Sequence, residues 1–318
     1  MSPAMPPTVL VVGDANPDLL LSGDVVPRFA QAEQEVSAAM TLGGSAGITA
    51  AALARLGVDV AIAAALGDDE LGRLTAERLR TLHVRTEALQ RSTRPTGLSV
   101  HLLRDDDRAI LTSSGAIADL DVDEACRAIV AGVRHVHVAS VFLVAPLRAG
   151  GERVVAAARA AGASVSVDTN FDPAGGFVLP SWVRDADVLL PNASEALAMT
   201  GRPADGDVES AARELAAGGA AVAVKLGAQG ALAVSGPDAP VVGVAAPRAP
   251  AFVDAVGAGD AFDAGFVRGR LDGLPLADAL ALACAAGTLS VRDRGERGQA
   301  TLEEAMTLAG LGARAGRR

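Results

Sequence analysis

Short continuous apolar runs alternate with helical patterns along most of this chain. Val9–Val12 and Ala220–Val224 are apolar at every position, which is typical of strands buried on both faces of a parallel sheet. Comparable runs lie at Val58–Ala65, Val133–Val138, Ala163–Val167, Ala186–Leu190 and Ala231–Val234. Helical patterns lie at Glu70–Leu82, Val122–Val130, Gly150–Ala161, Glu195–Thr200, Val208–Ala217, Gly257–Leu271, Leu276–Val291 and Leu302–Leu308. This alternation predicts βαβ crossovers and a parallel sheet covered by helices on both faces.

Two stretches interrupt the alternation. Leu19–Met40 holds short apolar pieces with polar residues between them, and Gly97–Thr112 has the pattern of a hairpin with a charged tip at Arg104–Arg108. The three aspartates of that tip would suit a cation, but a solvated turn is the expectation because no other ligand converges on them in sequence. We expect a small sheet outside the main layer, built from about residues 16–42 and 94–116.

Composition excludes several classes of function. Aromatic residues make up 3% of the chain and tyrosine is absent, so stacking platforms for single-stranded nucleic acid are not expected. A net charge of −10 argues against DNA and acidic membranes as partners. The two cysteines suit a reducing compartment, and neither a signal peptide nor a long apolar span is evident. We therefore expect a cytoplasmic protein.

The segment Asp254–Phe262 carries the clearest chemical signal in the chain. An apolar stretch meets an acid, and Gly257, Ala258, Gly259 and Asp260 then lead into a helical pattern. If the helix begins at Gly257, its first N–H groups have no intrahelical partner and attract an anion. A carboxylate beside such an anion site suits phosphoryl transfer to a hydroxyl. The alternative is a glycine-rich helix cap whose acid offsets the helix dipole.

Three further segments carry small or polar residues where a ligand would need them. Leu42–Gly57 places a glycine pair before a helix, with Ser45 as the expected N-cap and Gly57 as the stop. Leu189–Glu195 places an amide and a carboxylate just after an apolar run. Val222–Gly230 ends an apolar run in the only lysine of the chain, Lys225, followed by a turn with two glycines.

Taken in order, these segments resemble the ribokinase-like (PfkB-type) carbohydrate kinases, from Val9–Asp18 to about Thr301. The resemblance implies a three-layer α/β/α fold with a small β-sheet lid, here one domain over 8–310 with flexible tails at 1–7 and 311–318. It implies ATP-dependent phosphorylation of a hydroxyl on a sugar or sugar-like substrate. It also implies Asp260 as general base, with the Gly257–Gly259 turn as the anion hole. A homodimer formed through the lid is left open.

On the substrate side, the resemblance implies that Asp18 binds sugar hydroxyls and that Asn170 faces the transferring phosphoryl group. The other implied sugar contacts are Gly43, Gly44 and Ser45. Ile48 stands where the family commonly has an asparagine that contacts a hydroxyl. This departure predicts a ligand with an apolar or deoxygenated edge, such as a deoxy sugar or a nucleoside. Asp172, where many members have arginine, argues against phosphorylated sugars.

On the nucleotide side, the resemblance implies that Asn192 and Glu195 order Mg²⁺ through water. The remaining implied ATP contacts are Lys225, Gly227, Gly230, Cys284 and Gly287. Lys225 has a second interpretation, a solvated cation at a strand end. Asp254 resembles a ligand for a monovalent cation, but Ala255 and Val256 replace the threonines often found beside it, so a need for K⁺ is left open.

Other classes of function fit the chain less well. A nicotinamide dehydrogenase needs Gly-x-Gly-x-x-Gly after the first strand, and Gly13 is followed by Asp14-Ala15-Asn16. A P-loop is absent because no Gly-x-x-x-x-Gly turn precedes Lys225. A nucleoside kinase of the same fold and a non-catalytic sugar or nucleotide sensor are the remaining alternatives. His135 and His137 would share one strand face, as ordinary strand residues rather than metal ligands.

Overall fold

The computed structural model describes residues 5–30, 33–104 and 107–312. The strands are β1 (Val9–Val12), β2 (Asn16–Gly23), β3 (Val36–Gly43), β4 (Val60–Ala63), β5 (Ala65–Gly67), β6 (Gln90–Ser92), β7 (Leu98–Arg104), β8 (Asp107–Ser113), β9 (His135–Ala139), β10 (Ser164–Asp168), β11 (Val188–Leu189), β12 (Ala221–Lys225), β13 (Ala231–Val234) and β14 (Val242–Val244). The α-helices are α1 (Ser45–Arg55), α2 (Glu70–Thr81), α3 (Val122–Arg127), α4 (Ala145–Ala161), α5 (Ala193–Met199), α6 (Val208–Leu215), α7 (Ala258–Leu271), α8 (Leu276–Ser290) and α9 (Leu302–Leu308). Short 3-10 helices lie at Gly115–Asp119, Ser181–Asp185, Ala216–Gly218, Gly227–Gln229 and Gly295–Gly298.

The large sheet is mostly parallel, as the alternation of apolar runs and helical patterns predicted. Its strand order is β14-β13-β12-β11-β10-β9-β1-β4. Neighbouring strands in the part β12-β11-β10-β9-β1-β4 pair in parallel, and β13 and β14 add an antiparallel edge. The carboxyl ends of the parallel strands therefore meet at one edge of the sheet, where ligands bind in open α/β folds.

Helices cover both faces of the large sheet. Leu10 and Val12 point into a core shared with α3, α4, α5 and α6, while Val9 and Val11 point into a core shared with α1, α2, α7, α8 and α9. This alternation of buried residues along β1 is the period of two that a strand imposes. Both faces of the strand are fully buried, which explains why its sequence is apolar at every position.

A second sheet stands apart from the large one. Its order is β3-β2-β7-β8, with β2 and β7 parallel and the other pairs antiparallel. The strands β7 and β8 form the hairpin that the sequence predicted. Asp105 and Asp106, in the charged tip, lie outside the described residues, so the interpretation of that tip stays a prediction.

Two elements differ from the sequence prediction. The single run predicted at Val58–Ala65 is divided, because β4 ends at Ala63 and β5 pairs instead with β6 in a separate two-stranded sheet. Helix α4 begins at Ala145, ahead of the predicted Gly150, because a proline in its first turn favours helix initiation. Gly150 then sits at a kink with φ −143° and ψ 16°.

The ends of the described chain pack against the domain. Pro7 is buried, and Leu311, which falls in the predicted C-terminal tail, is 4% exposed and belongs to the core shared with α9. Of the two predicted tails, residues 1–4 and 313–318 lie outside the described residues. In the described part of the chain, every helix is too short or too polar to cross a bilayer.

Substitution of Gly230 tests how closely the β12–β13 hairpin packs against the backbone after β14. Its φ is 106°, and an added Cβ would overlap the Val244 carbonyl oxygen and lie 2.6 Å from the Ala246 nitrogen. Gly219 is a matched control, with φ 99° and no atom within 4 Å of an added Cβ. Gly219→Ala should cost about 1–2 kcal/mol of unfolding free energy from backbone strain. Gly230→Ala should cost at least about 2 kcal/mol more. Urea denaturation of both variants measures the difference, and equal losses would contradict the packing argument.

Candidate active site

Polar side chains gather at the carboxyl edge of the large sheet. Asp14 follows β1, Asp168 ends β10, Asn192 follows β11 and Lys225 ends β12. The first turn of α7, with Asp260, lies against this edge, since Asp260 and Asp168 place carboxylate oxygens within 4.8 Å of each other. The sheet topology therefore brings together residues that lie far apart in the sequence.

Helix α7 begins as the glycine-rich segment predicted. Gly257 is its N-cap, in the left-handed conformation with φ 78°, and no side chain caps the first turn. An added Cβ at Gly257 would lie 3.0 Å from Ile48 Cγ2, so the turn packs closely on α1. The first N–H groups of α7 therefore lack a side-chain acceptor, which is the condition for anion binding.

Ser45 contacts Asp260 directly. Its hydroxyl donates a hydrogen bond to Asp260 Oδ1. The prediction that Ser45 caps α1 is wrong, because Gly44 is the N-cap, with φ 76°, and Ser45 is the first helical residue. Asp14 takes over the capping, since its Oδ1 accepts from the Ala46 N–H at 3.2 Å. The serine hydroxyl is thereby available to the acid on α7.

Asp260 is poised to titrate near neutral pH. It is 9% exposed. Burial raises its pKa to about 7; the Ser45 hydroxyl opposes this shift and the negative charge of Asp168 adds to it. A carboxylate with a pKa near the working pH combines basicity with a substantial ionised fraction, as a general base requires.

Lys225 forms a buried ion-pair network with two acids. Its Nζ lies 2.6 Å from Asp168 Oδ2 and 3.2 Å from both carboxylate oxygens of Asp263. The lysine side chain is 12% exposed, so its interpretation as a solvated cation is wrong. Burial alone would lower the pKa of Lys225, but the two aspartates raise it above the ordinary value. The ammonium therefore stays charged.

The acids around Lys225 share that one positive charge. Burial raises the pKa of Asp263 well above its usual range. For Asp168 burial acts in the same direction, but the Lys225 ammonium prevails and lowers the pKa. Asp168, Asp260 and Asp263 are close enough to hold a metal ion, but Lys225 already supplies a cation to two of them.

Asn192 and Glu195 form a reciprocal cap at the start of α5. The Asn192 side chain accepts from the Glu195 N–H, and Glu195 Oε2 accepts from the Asn192 N–H, both at 2.9 Å. The backbone of Asn192 also forms an isolated parallel β-bridge with Lys225, the last residue of β12. Burial, with a contribution from Asp168, raises the pKa of Glu195 to about 7. A nearby cation would favour its ionised form.

Asp18 lies on β2, next to a histidine that the sequence did not single out as a site residue. Its Oδ1 accepts from Asn16 Nδ2 at 3.0 Å, and His101 Nε2 lies 3.2 Å from Oδ2. Both side chains are at most 4% exposed as residues. An added Cβ at Gly43 would overlap the Asp18 carboxylate, which explains the first glycine of the pair. At Gly44 an added Cβ would lie 2.7 Å from the Asp14 carbonyl oxygen.

Asn170 and Asp172 follow β10 in a loop with buried polar contacts. Asn170 has φ 55°, and its Oδ1 accepts from the Ser140 N–H at 2.7 Å. Asp172 is fully buried, and its carboxylate accepts from three backbone N–H groups of its own loop, those of residues 174, 176 and 177. Asp172 therefore closes its loop rather than presenting a charge to a ligand.

The other residues expected near ATP or a cation have different surroundings. Gly227 lies in a turn with φ 59° and no atom within 4 Å of an added Cβ. Cys284, on α8, belongs to a core cluster with Phe262 and Phe266 of α7. Gly287 allows α7 and α8 to approach closely, since an added Cβ would lie 3.0 Å from the Ala258 carbonyl oxygen. Asp254 is 6% exposed, and its Oδ2 has no hydrogen-bond partner among the described residues.

Sequence reasoning missed five residues of this edge: Asp14, His101, Ser140, Asp168 and Asp263. Three of them carried a usable signal. Asp14 and Asp168 follow apolar runs predicted as strands, and Asp263 lies three positions after Asp260, which places Asp260 and Asp263 on one helix face. His101 and Ser140 carried none, because their partners come from other parts of the chain.

Comparison with known proteins identifies the family. The model of the pfkB family of carbohydrate kinases matches residues 7–302. A 1-phosphofructokinase from Rhodobacter capsulatus is 42% identical over 135 residues, which is 42% of this chain and 40% of that protein. An ATP-dependent ribose-1-phosphate kinase from Halopiger xanaduensis is 32% identical over 305 residues, covering 93% of this chain and 95% of that one.

A solved structure agrees with the fold. Ribokinase from Arabidopsis thaliana, complexed with ribose and ATP, superimposes with a TM-score of 0.82 at 24% identity, covering 96% of this chain and 99% of that one. The chain belongs to the PfkB family of carbohydrate kinases. The enzyme class and the ribokinase-like fold that the sequence implied are thereby confirmed.

Ser45→Ala tests the contact between α1 and α7. The variant loses a hydrogen bond that favours the ionised form of Asp260, so the pKa of Asp260 should rise from about 7 by about one to two units. Carbon-13 NMR titration of labelled aspartates measures the shift, with Asp260→Asn identifying the resonance. Ser290→Ala removes a hydroxyl that bonds only to a backbone carbonyl, and should leave that pKa unchanged. An unshifted pKa in Ser45→Ala would refute the contact.

Proposed function

We propose that this enzyme transfers the γ-phosphoryl group of ATP to a hydroxyl of a sugar or sugar-like substrate, with Asp260 as general base. The observation that carries the proposal is a buried carboxylate, with its pKa raised to about 7, in the first turn of a helix whose leading N–H groups have no side-chain cap. The Gly257–Gly259 turn then serves as the anion hole. Both parts act on the same transferring group.

The proposed chemical step balances without a covalent intermediate on the protein. The substrate hydroxyl gives its proton to the Asp260 carboxylate as its oxygen bonds to the γ-phosphorus. The bond between that phosphorus and the bridging oxygen of ADP breaks. The N–H groups at the start of α7 stabilise the charge on the phosphoryl oxygens, and Asp260 returns its proton to solvent after product release.

Lys225 has a more specific proposed role than the sequence implied. A Cβ added at Gly259 would lie 3.6 Å from Lys225 Nζ, so the ammonium borders the proposed anion hole. We therefore assign Lys225 to the ATP phosphates, with Asp168 and Asp263 holding it in place. Gly227, Gly230, Cys284 and Gly287 are proposed to form the more distant nucleotide contacts, of which Cys284 contributes packing only.

Two cations are proposed for the site. Glu195 and Asn192 fit Mg²⁺ bound through water, because burial raises the pKa of the Glu195 carboxylate to about 7 even though the charge of Lys225 opposes that shift. Mg²⁺ would neutralise phosphate charge when bound.

The unpartnered Oδ2 of Asp254 fits a monovalent cation such as K⁺. Comparing binding of K⁺ and Na⁺ by thermal stabilisation of wild type and Asp254→Ala tests the second assignment, which fails if the two proteins respond alike.

The small sheet is proposed to act as a lid over the sugar. It carries Asp18 and His101, which face each other across β2 and β7, so closing the lid would enclose sugar hydroxyls held by Asp18.

Ile110 and Leu111 on β8 are 47% and 62% exposed, which is consistent with a homodimer through the lid. Sedimentation of wild type and Leu111→Glu tests the dimer, and a monomeric wild type would exclude it.

Two classes of substrate remain in competition. Ile48, half-buried beside Gly257, supports a deoxy sugar or a nucleoside, and with it the nucleoside-kinase alternative. The names of the two curated relatives described above favour sugar phosphates instead. The argument from Asp172 against phosphate is weakened, because that carboxylate is bonded within its own loop. ADP release across a panel of sugars, deoxy sugars, nucleosides and sugar phosphates decides between them.

Asp260→Asn tests the general base. The amide keeps the shape of the carboxylate but cannot accept the proton, so turnover should fall by at least about 10². Asp272→Asn is the matched control at the other end of α7, where the acid pairs only with Arg268 at 2.8 Å, and it should retain wild-type turnover. Steady-state ADP release measures both. Turnover of Asp260→Asn within about threefold of wild type would exclude the assignment.

The pH dependence has a definite sign. Asp260 must be ionised to accept a proton, and its pKa is raised to about 7. The kcat/KM should therefore fall as pH drops below about 7, approaching a tenfold loss per pH unit. Glu195, with a similar pKa, titrates in the same range, so Mg²⁺ is held saturating throughout. A flat profile between about pH 5.5 and 7.5 would contradict the base assignment.

Ile48→Asn tests the substrate prediction. An asparagine can bond a hydroxyl that isoleucine leaves without a partner, a difference of roughly 1–3 kcal/mol or about 5- to 150-fold in affinity. The affinity of the variant for ribose and fructose, relative to its affinity for deoxy sugars, should therefore increase. The control variant Ile48→Val should show no such increase. Because Ile48 packs against Gly257, thermal unfolding is measured in parallel. An unchanged substrate ratio, or ribose as the best substrate of wild type, would overturn the prediction.

A further inference from the structure

A cavity of about 350 Å³ lies at the opposite edge of the large sheet from the active site. Its wall includes His135 and Ser164, the first residues of β9 and β10, whereas the active site lies where β10 and β12 end. The far ends of α7 and α8 close the cavity with Phe266, Val267 and Leu276. Its volume is in the range of small-molecule sites.

The cavity combines positive charge with an apolar wall. Arg134 and Arg270 line it, and among the described residues neither pairs with a carboxylate. Each guanidinium donates one hydrogen bond to a backbone carbonyl, Arg134 at 2.9 Å and Arg270 at 3.4 Å, which leaves most of its N–H groups for a ligand. One acid, Asp187, also lines the cavity, and its Oδ2 accepts from the Val165 N–H at 2.7 Å. Two cations therefore face one acid, in a protein with a net charge of −10.

The strands β9 and β10, which separate the cavity from the active site, carry polar side chains at positions where a buried strand usually has apolar ones. His135 bonds Ser164 and Ser166, each at 2.7 Å, and Ser166 bonds His137 at 2.8 Å. His135 is 5% exposed, and Ser166 and His137 are fully buried. In the described part of the chain, His137 Nε2 has no hydrogen-bond partner. Burial lowers the pKa of both histidines, so neither imidazole adds a charge. Burying such groups in a sheet core costs free energy, which a role in ligand binding would explain.

We propose that this cavity is a second ligand site, for a small organic anion whose carboxylate or phosphate group is held by Arg134 and Arg270. The apolar part of the ligand packs on Phe266, Val267 and Leu276. The Ser164 hydroxyl, which lines the cavity and bonds His135, offers a further contact. The site is separate from the catalytic edge and does not depend on the substrate or on Asp260.

Fluorine NMR with para-trifluoromethylbenzoate tests the site directly. Wild type should bind this probe saturably, and the neutral para-trifluoromethylbenzamide should bind at least about tenfold more weakly. The double variant Arg134→Gln/Arg270→Gln should lose at least about tenfold in affinity for the benzoate. Arg91→Gln, which removes one positive charge from an exposed ion pair on β6, should bind like wild type.

Ser235→Phe supplies an independent test that leaves the charge unchanged. The added ring would fill the cavity, so the benzoate should no longer bind, and circular dichroism checks the fold. If the arginine variant unfolds, this variant decides alone. The proposal is overturned if wild type shows no saturable binding, if benzamide binds as well as benzoate, or if a folded Ser235→Phe binds the benzoate as wild type does. None of these results bears on the kinase reaction, because no turnover is measured.

Discussion

The rest of the active site depends on the buried ammonium of Lys225. Lys225, at the end of β12, pairs with Asp168 at the end of β10 and with Asp263 on α7, so one cation connects two strands and a helix. Removing one partner of a buried ion pair typically costs about 3–5 kcal/mol, because the charge left behind has no compensation. The position of the first turn of α7, and with it Asp260, therefore follows from this network as much as from apolar packing.

The same network sets the proton affinities of the site. Four buried acids surround one lysine, and burial raises the pKa of Asp260 and of Glu195 to about 7. An acid that is protonated at neutral pH adds no negative charge to a protein whose net charge is already −10. The raised pKa values therefore reduce the electrostatic repulsion that an anionic ligand would meet at this edge.

The contact between α1 and α7 links the two halves of the proposed site. Ser45 reaches Asp260, and Ile48 packs on Gly257, so the helix that follows the glycine pair touches both the acid and the turn proposed as the anion hole. Gly43 in turn has no side chain because the Asp18 carboxylate lies across it. Substitutions of Ser45 or Ile48 on α1 are therefore close enough to affect the first turn of α7, since residues in contact rarely act independently.

The sequence alone determined the layered fold and the start of α7, because these depend on local patterns: apolar runs for buried strands, and a glycine turn followed by an acid for the helix. The family motifs were equally local. Tertiary structure decided what each polar group bonds. Lys225 is 57 residues from Asp168 and 38 from Asp263, and Ser45 is 215 from Asp260, so no periodicity could pair them. The same holds for His101 beside Asp18, which are 83 residues apart in the chain. Such partners are set by which strand ends meet at one sheet edge, and that is a property of the packed chain.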